Sequence, residues 1–172
     1  MPQSIFVYGT LKQNQLRGKA WPRPPLSIRP ALVRATLWDL GAFPGITLGD
    51  DWSLGELWTL SDHDMHATLK VLDAIEDYDA KHHRGLYLRV AIESFPTPAE
   101  LGDAKPGVED PFLTDVANWP AVRAFTYLAN DPDMLRSARR IAPNQPWNGQ
   151  IVASWPDTGS RVPQTLEEES SP

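Results

Sequence analysis

Ile5-Phe6-Val7-Tyr8 is a short unbroken apolar run that stops at Gly9. Its β-branched and aromatic residues favour a strand. Gly9 tolerates backbone angles closed to other residues and lets a ligand approach the main chain. Thr10, Leu11 and Lys12 follow with free N–H groups, so the loop can form an anion-binding concavity of convergent amides. Leu16–Pro30 carries Pro22, Pro24, Pro25 and Pro30 and reads as an irregular connection. Ala31–Leu40 then alternates as a strand does, with Leu32, Arg34, Thr36 and Trp38 on one face and Val33, Ala35 and Leu37 on the other. Gly41–Gly45 has turn chemistry, and Leu54–Leu60 is the next strand. Ser61 is a suitable N-cap for a helix running to about Asp77, with Asp62 and Asp64 at the positive end of its dipole. Leu86–Ser94 and Ala121–Ala129 read as strands. Asp131-Pro132-Asp133 opens a short helix predicted to reach about Ile141.

The segment 95–120 holds five prolines and reads as a long inserted loop, a length uncommon in compact domains and often that of a lid or a disordered segment. Residues 156–172 end in an acidic run and read as an extended or flexible tail. One domain over 1–155 is expected, without repeats. Of the 172 residues, 41% are hydrophobic and 22% charged, enough for a core. The net charge of −6 argues against a nucleic-acid footprint. The absence of cysteine excludes disulfides and a Cys nucleophile. Met1–Lys12 shows no basic segment followed by a long apolar stretch, and no apolar run approaches membrane-spanning length. A cytoplasmic protein is therefore expected.

A helical wheel adds the main chemical candidate. With Met65 at zero and roughly 100° per residue, Leu69 lies near +40°, Leu72 near −20° and Glu76 near +20°. Glu76 thus falls in the middle of the apolar stripe, whereas Asp73 and Asp77 drift toward solvent. A carboxylate held in apolar surroundings is costly, and a helix C-terminus disfavours negative charge. Both push its pKa up, toward the range of a general base at neutral pH. An amide-lined loop and an inward carboxylate, without a recognisable nucleophile or metal cage, suit proton transfer with oxyanion stabilisation on a substrate that carries its own nucleophile.

Five motifs in order carry a resemblance. They are Val7-Tyr8-Gly9-Thr10-Leu11-Lys12, the run Leu37–Gly45, Gly55-Glu56-Leu57-Trp58, Leu72-Asp73-Ala74-Ile75-Glu76-Asp77-Tyr78, and Tyr87 with Arg89. Together they resemble the γ-glutamylcyclotransferase-like family, which includes the γ-glutamylamine cyclotransferases and the AIG2-like proteins. The resemblance covers about residues 4–94. It implies a mixed α+β fold, a small twisted barrel-like sheet with a few short helices. It also implies an acyltransferase or lyase that releases a γ-glutamyl group as 5-oxoproline. Glu76 would be the catalytic acid/base. Tyr8, Gly9, Thr10 and Leu11 would form the substrate loop, and Tyr87 would line the pocket. The loop amides would hold either the oxyanion or the substrate α-carboxylate. The family's usual Glu-Gly pair is Glu76-Asp77 here, and the long 95–120 insertion bears on the leaving group. No cofactor or metal is implied. The expected partner is a small γ-glutamyl substrate, not nucleic acid or a membrane, and the sequence leaves the oligomeric state open.

Two alternatives stand beside this reading: a non-catalytic small-molecule binding module on the same fold, and an amide hydrolase using water. The smaller signals read as surface or core. His63 and His66 lack a third metal ligand. Arg136, Arg139 and Arg140 read as a solvated face. Trp38, Phe43 and Trp58 read as core or pocket wall, and Lys12 lacks the spacing of a phosphate-binding loop.

Overall fold

A computed structural model describes residues 1–98 and 111–149. In chain order these residues form β1 (Ser4–Val7), β2 (Ser27–Asp39), β3 (Pro44–Thr59), α1 (Asp62–Ile75), β4 (Tyr78–Asp79), β5 (Arg84–Gly85), β6 (Tyr87–Pro96), β7 (Val122–Ala129) and β8 (Arg139–Ile141). Short 3-10 helices span Pro111–Asn118 and Pro132–Leu135. The fold is the mixed α+β barrel-like arrangement that the motifs imply. Strands pair in the order β3-β1-β7-β6-β2, and β2 pairs again with β3, so five strands close into a ring. Closure removes exposed sheet edges. β8 adds to β2 at Leu37–Asp39, beyond the Ala31–Val33 stretch that β6 occupies.

β1 is short but central. It pairs antiparallel with β3 from Ser4 to Val7 and parallel with β7 at Ile5↔Phe125. Alternate side chains point to opposite faces of a strand, and both faces of β1 are buried. Ile5 and Val7 pack with Leu60, Met65, Leu69 and Leu72 beneath α1. Phe6 joins Ala31, Val33, Leu37 and Ile46 in the second core cluster, which Trp147 also enters. Two apolar layers therefore meet at one four-residue strand, and its position is fixed from both sides.

The main departures from the sequence reading lie in the hairpin and near the end of the described chain. β3 starts at Pro44, ten residues before the expected strand, because its polar Gly49–Asp51 stretch masks the alternation. A register shift at Arg34/Ala35 takes up those residues: Arg34 faces Trp52, whereas Ala35 faces Leu48. The helix expected over 131–141 is corrected to a single 3-10 turn followed by a strand. Asp131 does cap that turn, accepting from Asp133 N–H at 2.9 Å. Arg139 and Arg140 then pair with Asp39 and Asp51, each at 2.7 Å, and hold the following segment against β2 as β8. Of the expected 95–120 loop, Phe95 and Pro96 belong to β6 and Pro111–Asn118 is helical. Residues 99–110 and the proposed tail over 156–172 lie outside the described residues. Among the described residues no helix is long and apolar enough to cross a membrane.

Gly55 marks how tightly the ring closes. A Cβ there would lie 2.4 Å from Val7 O and 2.5 Å from Phe6 Cζ. Gly55→Ala is expected to lower the unfolding free energy by about 1–3 kcal/mol, measured by denaturant titration. An unchanged midpoint would show that β1 has room to shift.

Candidate active site

The loop after β1 is held by its carbonyls. Gly9 O accepts from Lys12 N–H at 3.1 Å, so the Lys12 N–H is engaged by the turn and not free as expected, and Thr10 O accepts from Arg17 N–H at 2.7 Å. Leu11 O accepts from Trp21 Nε1–H at 2.9 Å, and Trp21 itself stacks on Trp58 at 3.9 Å. Among the described residues, the N–H groups of Gly9, Thr10 and Leu11 enter none of the loop's main-chain bonds. Three consecutive carbonyls are thus engaged behind the loop, with the three matching donors left over. Gly9 is required by contact: a Cβ would sit 2.5 Å from Pro44 Cγ.

The second element is the end of α1. Met65, Thr68, Leu69 and Leu72 form its buried face. Glu76 is the C-cap residue, and its N–H donates to Leu72 O at 2.9 Å. Asp77 follows at φ 55°, the left-handed conformation that ends many helices and favours glycine. The pair Glu76-Asp77 therefore keeps the backbone turn that a Glu-Gly pair makes more easily. Ser61 stands at the N-cap position, but its hydroxyl bonds the Asp64 carboxylate (3.0 Å) rather than a backbone N–H.

The wheel turns Asp73 toward solvent; the structure corrects this. Asp73 accepts from Arg89 Nη1 at 2.6 Å and from the Tyr127 hydroxyl at 2.7 Å. Its side chain is 13% exposed. Arg89 on β6 and Tyr127 on β7 reach it because the sheet curves under the helix. The helix turn that carries Glu76 is thereby tied to two strands.

Tyr8, Gly9, Thr10, Leu11, Glu76 and Tyr87 come together around one cleft of about 390 Å³, its open mouth included. Phe43, Pro44, Tyr127 and Arg17 complete the wall. The Tyr8 hydroxyl donates to Tyr127 O at 2.6 Å and the Tyr87 hydroxyl to Pro44 O at 2.7 Å. Burial raises the pKa values of Tyr8, Tyr87 and Tyr127, so these hydroxyls stay protonated and committed to the wall. Burial also pushes the Glu76 carboxyl up to about 7, against the opposing pull of the Arg17 guanidinium. A carboxyl near neutrality can accept and return a proton at physiological pH.

Lys12 lies off the cleft, its ammonium donating to Trp147 O at 2.9 Å. Arg136, Arg139 and Arg140 pair with Asp133, Asp39 and Asp51 and line no part of the cleft. His63 and His66 are exposed, and no cluster among the described residues could hold a metal. The sequence reading missed Arg17. The signal was the adjacent Gly18, where a Cβ would lie 2.3 Å from Lys12 O and prevent the coil that brings Arg17 back to Thr10.

The family model described as gamma-glutamyl cyclotransferase, AIG2-like, matches residues 5–149. The chain belongs to this family. A Vibrio cholerae protein carrying the provisional name gamma-glutamylcyclotransferase is 31% identical over 94 residues, 49% of this chain and 70% of that protein. The gamma-L-glutamyl-butirosin B gamma-glutamyl cyclotransferase of Niallia circulans is 33% identical over 76 residues, 44% of this chain and 46% of that protein. The crystal structure of an AIG2-like protein from Mus musculus aligns over 96% of this chain and 98% of its own, with a TM-score of 0.55 and 18% identity. That last likeness is one of fold, and it extends the AIG2-like architecture over the whole described barrel.

The raised pKa of Glu76 has a consequence for stability in this AIG2-like protein. Folding raises this carboxyl from 4.5 to about 7, so the folded state holds its proton more tightly than the unfolded state. The ionised side chain therefore opposes folding progressively as pH rises from 4.5 to 7, by up to about 3 kcal/mol above that range. Glu76→Gln is expected to be more stable than the native protein at pH 8, with the difference vanishing near pH 4. Equal unfolding midpoints at pH 8 would show that the carboxyl is not desolvated.

Proposed function

We propose that this protein is a γ-glutamyl cyclotransferase that converts a small γ-glutamyl amide to 5-oxoproline and a free amine or amino acid. The observation that carries this reading is one cleft that holds both the Glu76 carboxyl, which burial pushes up to about 7, and a loop whose Gly9, Thr10 and Leu11 N–H groups enter no main-chain bond among the described residues. The substrate supplies the nucleophile. Its α-amine attacks its own γ-carbonyl carbon, forming the ring C–N bond and a tetrahedral oxyanion. Collapse of that intermediate breaks the C–N bond to the leaving amine. Ring closure within one molecule gains the proximity advantage of intramolecular attack, so an enzyme nucleophile is not required.

Glu76 takes a proton from the α-ammonium before attack and returns it to the departing nitrogen. The ring nitrogen, which still carries two hydrogens after attack, then loses its second proton through the same carboxylate to the free amine, which leaves as an ammonium. The N–H groups of residues 9–11 stabilise the oxyanion, a role that main-chain donors fill without reorganisation. Tyr8 and Tyr87 shape the wall: their protons are engaged with Tyr127 O and Pro44 O. Access by bulk water would divert the reaction to hydrolysis; the rings of Tyr8, Phe43, Tyr87 and Tyr127 supply apolar wall against it.

The test is a panel of γ-glutamyl amino acids and γ-glutamyl amines with products resolved by mass spectrometry. The expected products are 5-oxoproline and an equal amount of amine. kcat/KM is expected to rise with pH and level off above about 7, as Glu76 ionises. Glu76→Gln should lower the rate by roughly 10²-fold or more while remaining folded. Free glutamate would make the protein a hydrolase. Tight binding with no turnover would make it a binding module, and a fully active Glu76→Gln would remove the proposed base. In the same assay Gly9→Val is expected to abolish turnover by displacing Pro44, whereas Lys12→Ala should retain most of it.

A further inference from the structure

We propose that Arg17 is the specificity residue of this site, holding the α-carboxylate of the γ-glutamyl group and leaving the amides of residues 9–11 for the oxyanion. This rests on the cyclotransferase reading and assigns the substrate's charged end within it.

Charge balance points to Arg17. Among the described residues, two charged side chains line the cleft, Glu76 and Arg17. A γ-glutamyl group carries an ammonium and a carboxylate on the same carbon. If Glu76 faces the ammonium to receive its proton, the carboxylate lies within one bond of that nitrogen-bearing carbon and needs a cation beside Glu76. Arg17 meets this condition, since its guanidinium acts electrostatically on both Glu76 and Tyr87.

Availability points the same way. Arg89 is bound to Asp73, Arg139 to Asp39 and Arg140 to Asp51, while Lys12 is bound to Trp147 O. Arg17 is exposed, and among the described residues its guanidinium enters no hydrogen bond or ion pair. Its backbone, by contrast, is fixed. Arg17 N–H donates to Thr10 O at 2.7 Å, and Arg17 O accepts from Ala20 N–H at 3.0 Å. Gly18 N–H donates to Gln15 O at 3.0 Å, and Gly18 packs against Lys12 O so closely that no Cβ would fit. A tight coil thus bonds the residue to the substrate loop itself while leaving the forked guanidinium donors unused. Those donors match a carboxylate in geometry as well as charge.

The test compares a γ-glutamyl amide with its α-carboxamide counterpart, which can still cyclise but carries no α-carboxylate. The wild type is expected to prefer the carboxylate form by about 10–100-fold in kcat/KM, the range of a charge-assisted hydrogen bond. Arg17→Met should reduce that preference to within about threefold, through a higher KM for the carboxylate form and little change for the carboxamide. Arg17→Lys should restore part of the preference. An Arg17→Met enzyme that keeps the wild-type preference overturns the proposal. If the wild type cyclises neither compound, the cyclotransferase reading itself has failed. Calorimetric binding of the same γ-glutamyl amide then decides: loss of affinity in Arg17→Met supports carboxylate recognition, and equal affinity or no binding overturns it. The side chain is exposed, so matching thermal unfolding of wild type and variants is expected in every arm.

Discussion

A four-residue strand bonded on both sides governs the rest of the molecule. β1 pairs with β3 along its whole length and with β7 at Ile5, and its side chains enter both apolar layers. It has no freedom to slide, because a shift of one residue would exchange Ile5 and Val7 with Phe6 and turn each into the wrong layer. The loop at residues 8–11 therefore opens at a fixed point on the rim of the ring. Gly55, with no room for a side chain beside Val7 O, shows the same closeness from the neighbouring strand. The site inherits its precision from this strand, since the turn after it engages the carbonyls of Gly9, Thr10 and Leu11, and among the described residues their N–H groups enter none of its main-chain bonds.

α1 approaches that rim from the other side, and two opposing effects set the state of its last side chain. Desolvation favours the neutral form of Glu76, and Arg17 favours the ionised form; desolvation is the larger, so the balance falls near neutrality. A carboxyl left in water would be too weak a base for an ammonium, and one fully paired with arginine would be weaker still. The triad of Asp73, Arg89 and Tyr127 adds the mechanical part, tying the preceding helical turn to β6 and β7. Tyr127 serves both elements: its hydroxyl holds Asp73 and its carbonyl receives the Tyr8 hydroxyl. Helix end and the loop at residues 8–11 are thus referenced to the same residue of β7.

Much of this was legible along the chain where local pattern and tertiary role coincide. The run Ile5–Tyr8, its break at Gly9 and the 3.6-residue stripe of Met65, Leu69 and Leu72 identify the two elements of the cleft, and the stripe itself carries Glu76 inward. What stayed hidden depends on pairs distant in sequence. Asp73 lies off the stripe and is half-buried because Arg89 and Tyr127, 16 and 54 positions away, meet it there. The stretch at 139–141 becomes a strand because Asp39 and Asp51 capture its arginines, against a local Asp-Pro-Asp signal for helix. Arg17 sits in a proline-rich connection without periodicity, and its place is set by the coil closing on Thr10. The Gly49–Asp51 stretch conceals the first part of β3 for the same kind of reason: these residues are the ones skipped by the register shift, and the pairing of Pro44–Leu48 with Ala35–Asp39 of β2 is what continues the strand before them.

Everything chemical in this account depends on Glu76 being held away from water at the end of α1. The most direct measurement is an NMR titration of its carboxyl carbon, assigned by comparison with Glu76→Gln, from pH 3 to pH 9. A midpoint near 7 is expected, well above the 4.5 of an ordinary glutamate. A midpoint near 4.5 would contradict the account, because the side chain would then be solvated and no longer suited to act as a base.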